Sequence, residues 1–247
     1  MKEMADCDWF PQWMRLHQQE FLGFFAFHFN IYKPLVKVLE PMLNYKYQPA
    51  WTDTCSGNGS AALSIERFIT PSPSLLLTDK FPPSIIQALP SNILYDTQPL
   101  DILQKLPKGK GVITLFNAFH HFNQDEKLAL LQKVSTAKRP FLSVEILRPS
   151  FGSYLSVLGA STIGQWLFAP FIKPFRLSRL IFTYLIPIHI VSVLVDGWIS
   201  VAKSERKTGY ASLLSQMQKP KGYIFSVIHI KNYWNHLTIL KGAVERA

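Results

Sequence analysis

The stretch Trp51-Thr52-Asp53-Thr54-Cys55-Ser56-Gly57-Asn58-Gly59-Ser60-Ala61-Ala62 decides the fold. A short run ends in two glycines one residue apart, and a helix-compatible run follows from Ser60. Backbone that bends sharply between a strand and a helix, and approaches a ligand closely, needs residues without a Cβ. Downstream, Leu75-Leu76-Leu77 leads to Asp79, a carboxylate at the distance expected of one that accepts both hydroxyls of a ribose. Together these features point to a nucleoside-containing ligand.

On either side, short apolar runs alternate with helical patterns. Strands are predicted over 50–54, 75–78, 92–95, 111–116 and 140–146, and helices over 60–68, 82–89 and 125–138. Such alternation makes a parallel sheet with crossover helices. The last helix begins with acidic residues and ends with basic ones, as the helix dipole favours, with Leu128, Leu130, Leu131 and Val134 expected inside. Two further strand-like runs, 223–230 and 237–240, are separated by a segment suited to a hairpin. The fold class expected is therefore α/β: a Rossmann-like, mostly parallel seven-stranded sheet ending in an antiparallel hairpin.

Before the sheet, residues 9–43 read as a helical layer with Phe21, Phe24, Phe25 and Phe29 as one apolar set. After it, residues 151–171 carry no charge, Lys173, Arg176 and Arg179 follow, and a second apolar run covers 180–195. Glycines dilute the first run, while Pro187 and His189 break the second. This favours helices covering the active site over a bilayer span, with peripheral membrane contact as a further expectation. One domain is expected, divided into a helical cap (1–49), a cofactor-binding core (50–149), an apolar helical insertion (150–195) and a closing helix with hairpin (196–247).

The 247 residues are 48% hydrophobic and 17% charged, enough apolar material for a large core and too little charge for extended disorder. The formal charge is +10, but Lys and Arg are spread thinly without a nucleic-acid motif, so no nucleic-acid partner is expected. No secretory signal is visible, which makes the cytoplasm the expected compartment. Cys7 and Cys55 are too far apart in sequence for a metal-ligand spacing and are expected as free thiols; no metal is expected.

The Asp53, Cys55, Gly57, Gly59 register resembles the first motif of the class I S-adenosylmethionine-dependent methyltransferases, in a bacterial branch with a Cys-Ser-Gly loop. Asp8-Trp9-Phe10-Pro11, Leu77-Thr78-Asp79-Lys80-Phe81-Pro82, Leu115-Phe116-Asn117-Ala118-Phe119-His120-His121-Phe122 and Val195-Asp196-Gly197 look like further landmarks of that branch. The resemblance implies S-adenosylmethionine as cofactor and transfer of its methyl group to a small molecule, apolar or amphipathic given the surrounding composition. It implies a cofactor-binding set of Asp53, Cys55, Ser56, Gly57, Gly59, Asp79, Lys80, Asp101, Ile102 and Asn117. Asp79 would lie at the ribose and Asp101-Ile102 near adenine.

Two other readings stay open. Gly57, Gly59 and Ala62 also fit the Gly-x-Gly-x-x-Ala pattern of NAD(P)-dependent oxidoreductases, although Asp53 and the terminal hairpin argue against it. A non-catalytic, cofactor-binding or regulatory protein of the same fold is the other, because no residue is uniquely catalytic. His120 and His121, after the fourth strand, are the candidate general bases; Glu145 and Asp196 are the other acidic candidates.

Overall fold

The computed structural model describes residues 2–83, 88–218, 220–231 and 236–245. Seven strands form one sheet: β1 (Trp51–Thr54), β2 (Leu75–Thr78), β3 (Ile93–Tyr95), β4 (Val112–Phe116), β5 (Phe141–Glu145), β6 (Tyr223–Lys231) and β7 (His236–Val244). Their spatial order is β3-β2-β1-β4-β5-β7-β6. The first five run parallel, with Asp53 beside Leu77 of β2 and Thr114 of β4. β7 pairs antiparallel with both β5 and β6, completing the hairpin expected from the sequence. Every residue of β1, β4 and β5 is buried, as central parallel strands covered on both faces must be.

Two cores lie against the sheet. One gathers Leu35, Leu39, Trp51, Ile65, Leu75 and Val144; the other gathers Ile113, Phe119, Leu130, Leu131, Phe141 and Tyr210. The helix Gln124–Thr136 opens with a reciprocal cap, Asn123 Oδ1 accepting the Glu126 N–H at 2.9 Å and Glu126 Oε2 accepting the Asn123 N–H at 2.8 Å. Leu130, Leu131 and Val134 are buried as expected, whereas Leu128 is half-buried at the edge of the stripe. The helix expected over 82–89 falls largely on 84–87, outside the described residues.

The N-terminal layer is a long helix, Gln12–His28, followed by short turns between Lys33 and Met42. Phe21 is buried and Phe24 and Phe25 are half-buried, but Phe29, expected in the same set, caps the helix end and is exposed. Residues 151–203 form broken helices, principally Phe151–Gly159 and Ile188–Lys203. The second of these runs unbroken through the boundary expected between 195 and 196, so insertion and closing segment share one element. No single described helix is long and apolar enough to cross a membrane; Leu177–Leu185 and Ile188–Lys203 meet that test only as a pair bent by 81°. The insert is held to the N-terminal helix through Glu20, which receives Arg176 Nε at 2.9 Å and an Arg179 guanidinium N–H. Both Glu20 and Arg179 are buried.

Candidate functional site

The β1 strand ends at Thr54, and the chain then turns through left-handed backbone at Cys55 (φ 55°), Gly57 (φ 55°) and Gly59 (φ 78°) before the helix Ser60–Glu66. A Cβ on Gly59 would lie 2.6 Å from Leu77 Cδ1 and displace that side chain, and the left-handed φ strains any other residue there. Ser56 ties the turn to the sheet, its hydroxyl donating to the Asp53 carbonyl at 2.9 Å and its N–H to the Thr78 carbonyl at 3.1 Å. Ser56 is thus spent on the fold.

Asp79 points into the turn. One carboxylate oxygen accepts the Gly57 N–H at 2.8 Å and the other accepts the Phe81 N–H at 2.8 Å. Burial pushes this carboxyl up, and the Phe81 and Gly57 N–H groups partly offset it. The Asp79 carbonyl accepts the Leu100 N–H at 2.8 Å, which draws the segment after β3 alongside. There Asp101 pairs with Lys80 at 2.9 Å and Ile102 is buried. Burial works against the Asp101 charge, but the Lys80 ammonium and the Leu103 N–H outweigh it and hold the carboxyl low. The fold therefore gathers Cys55, Gly57, Gly59, Asp79, Lys80, Asp101 and Ile102 at one end of β1 and β2. Tyr95, absent from the sequence-based set, donates its hydroxyl to the Gly57 carbonyl at 2.7 Å.

Asp53 lies beneath the turn, 1% exposed, accepting the Thr114 hydroxyl at 2.6 Å while Trp51 Nε1 donates to the same hydroxyl at 2.8 Å. Burial pushes its carboxyl up to about 7. Burial and the nearby Asp79 raise the Cys55 thiol, so it stays protonated; both cysteines are free, as expected. Asn117 also has a structural role. Its carbonyl oxygen accepts the Ile146 N–H at 3.0 Å and its amide donates to the Tyr32 hydroxyl, clamping β4, β5 and the N-terminal layer together.

The two histidines occupy different surroundings. His120 Nδ1 sits 2.7 Å from Glu145 Oε2 and its Nε2 faces Glu3 Oε1 at 3.4 Å. Burial alone would lower this imidazole, but the two carboxylates prevail and push it up to about 10. His121 is partly exposed, with Nδ1 2.9 Å from Asp6 Oδ2. Glu3 and Asp6 had no signal in the sequence, since they reach the site only because Asp196 grips the turn between them. The Asp196 carboxylate accepts the N–H groups of Met4 at 2.5 Å and Ala5 at 3.1 Å. Asp196 is therefore an anchor, and Glu145 a partner of His120 that also accepts the Phe119 N–H at 3.0 Å. Glu3, His120 and His121 place one potential ligand atom each within 4.8 Å of one another, the group among the described residues with metal-like spacing. The opposite charges of Glu3 and His120 also favour their approach.

Neither family models nor curated proteins match this sequence. Solved structures do match. Plantazolicin methyltransferase BpumL, in complex with S-adenosylhomocysteine, superposes with a TM-score of 0.54 at 10% identity, over 98% of this chain and 94% of its own. Human N-acetylserotonin methyltransferase, in complex with S-adenosylmethionine, does so with a TM-score of 0.51 at 13% identity, over 94% of this chain and 55% of its own. The chain has the methyltransferase fold. It spans about half the length of the first solved structures it matches, including mitomycin 7-O-methyltransferase MmcR at 53%. Within that methyltransferase fold, the turn after β1 and the carboxylate after β2 lie at the strand ends where open α/β sheets place ligands.

Proposed function

We propose that this chain is an S-adenosylmethionine-dependent methyltransferase whose acceptor is a small apolar or amphipathic molecule. The observation that carries this reading is the 2.8 Å hydrogen bond from the Gly57 N–H to the Asp79 carboxylate. It fixes a left-handed, glycine-containing turn and an acid from the neighbouring strand as one unit, the arrangement an adenosyl group requires. After the Gly57 and Phe81 N–H bonds, Asp79 keeps lone pairs for the ribose hydroxyls. Asp53, beneath the turn, suits the cationic amino-acid end, and Ile102 with the Lys80–Asp101 pair suits the adenine side.

S-Adenosylmethionine, when bound, supplies an electrophilic methyl group on a sulfonium. The chain's residues then have to align the acceptor, exclude water and, for some acceptors, take up a proton. His120, held as an imidazolium between Glu3 and Glu145, has no free lone pair at neutral pH. A proton-accepting role therefore falls to the partly exposed His121, and His120 positions the turn that carries it. An acceptor that is already nucleophilic needs neither.

Isothermal titration of the full chain with S-adenosylhomocysteine tests the cofactor, and a labelled methyl donor offered with metabolite extracts tests turnover. Saturable binding that Asp79→Ala removes supports the reading. No binding, together with a thermal shift on nicotinamide dinucleotide, would favour the oxidoreductase instead. The enclosure of His120 between Glu3 and Glu145 is the specific observation in favour of a second reading, a cofactor-binding protein without turnover; binding without any labelled product would support that one.

A further inference from the structure

Between Glu145 and Asp196 the sequence contains no acidic residue. The structure turns that composition into a surface. The helix Phe151–Gly159 has no charged residue and no buried one. Phe151, Trp166, Phe171, Phe175, Leu177 and Leu185 are each at least 61% exposed, although residues of these types are the ones a soluble fold normally hides. Contiguous apolar exposure of this extent marks an interaction surface rather than ordinary surface scatter.

Its geometry and charge select the occupant. Leu185 and Ile186, both exposed, sit at the 81° corner between Leu177–Leu185 and Ile188–Lys203, so the corner presents an apolar wedge. Trp166 packs edge to face with Tyr184, the residue before Leu185, and both are amphipathic rings of the kind that settle at headgroup depth. Arg176 and Arg179 are tied to Glu20 and unavailable, but Lys173 is exposed among the apolar residues. At the other end, Arg148, Arg206 and Lys207, with Glu205 among them, border a cavity of about 380 Å³ that adjoins Ser150, the residue opening the apolar helix. Residues 146–195 of a second copy hold no acid to pair with Lys173 or Arg148, whereas anionic lipid offers both an apolar interior and negative phosphates.

We propose that this face seats the protein on an anionic bilayer surface, the Leu185–Ile186 corner and its neighbouring aromatics entering the headgroup layer while Lys173 and Arg148 meet lipid phosphates. The partner is the lipid surface itself, in the interfacial mode of an amphipathic segment that does not span.

Flotation of the full chain with vesicles of phosphatidylcholine, alone or mixed with phosphatidylglycerol, tests this at low and at physiological salt. Binding should require phosphatidylglycerol, weaken with salt, fall about fivefold in Lys173→Ala and at least about tenfold in Leu185→Glu. Both positions are exposed, so the variants should melt like the unaltered chain. Asp79→Ala should float normally, which separates this surface from the cofactor reading. Absence of flotation, flotation unaffected by Leu185→Glu, or a dimer that Leu185→Glu dissociates while vesicle binding persists would each overturn the proposal.

Discussion

Glu145 reaches back from the end of β5 and holds His120 Nδ1 at 2.7 Å, so the turn after β4 is fastened to the neighbouring strand by a buried charge pair. An unfolded imidazole titrates near 6.5 and this one near about 10, so the folded state holds the proton more tightly. The resulting stabilisation is complete below about 6.5 and is lost as pH rises through about 10. His120→Gln should cost about 3–5 kcal/mol at neutral pH by leaving Glu145 unpaired. The gap to the unaltered chain should close on alkaline titration, which thermal melts across that range will read. A constant gap would mean that the pair is not charged.

The acid side belongs to other groups. Burial, then Arg179 and Arg176, push His17 down to about 4, and burial, His17 and Arg179 push His189 down to about 3. Both are held neutral in the fold, so their stabilising state is present above about 6.5 and is lost as pH falls through those values. His189→Gln should flatten the acid limb of the melting profile and leave the alkaline limb unchanged.

In the proposed site, Asp53 would link proton release to cofactor binding. Its carboxyl is pushed up to about 7, so near neutrality it is partly protonated, and a ligand ammonium or sulfonium beside it favours the ionised form. Affinity for S-adenosylhomocysteine should rise as pH approaches about 7, by up to about tenfold per unit, and level off above it. Calorimetry in buffers of different ionisation heat should detect the released proton. Asp53→Asn should abolish both effects.

Asp79→Asn keeps the shape of the side chain and removes its charge. Loss of a charged hydrogen-bond acceptor to ligand hydroxyls corresponds to about 1.5–3 kcal/mol, or roughly a ten- to hundredfold weaker affinity by isothermal titration. Near-normal affinity would show that the ribose lies elsewhere.

Gly59→Ala separates backbone geometry from chemistry. The left-handed φ of 78° and the 2.6 Å approach to Leu77 Cδ1 both resist a methyl group, at a combined cost of about 1–3 kcal/mol. Gly152→Ala, where an added Cβ meets nothing within 4 Å, is the control and should not lower the melting temperature. Equal melting of the two variants would refute the close packing.

Glu20→Gln should loosen the insert. A buried carboxylate facing Arg176 and Arg179 leaves an uncompensated guanidinium when neutralised, at about 3–5 kcal/mol. Hydrogen exchange should rise over 172–203 before it rises in the sheet.

The sequence alone determined the sheet and the glycine turn after β1, because both are local. Alternation of apolar runs placed five parallel strands and a hairpin, each to within a few residues, and glycine spacing marked the turn, since only glycine tolerates that backbone beside Leu77. It did not determine what long-range packing decides. Asn117 and Ser56 carry the right chemistry in the right loops and also hydrogen-bond within the fold, partnerships that no local pattern shows. Glu3 and Tyr95 act on sites distant in sequence, and Phe29 leaves its apolar set because the helix ends there. Whether His120 is a base or a cation depends on two carboxylates, one near the N-terminus and one on β5. No periodicity records such a meeting, because the energy of a buried charge depends on everything folded around it.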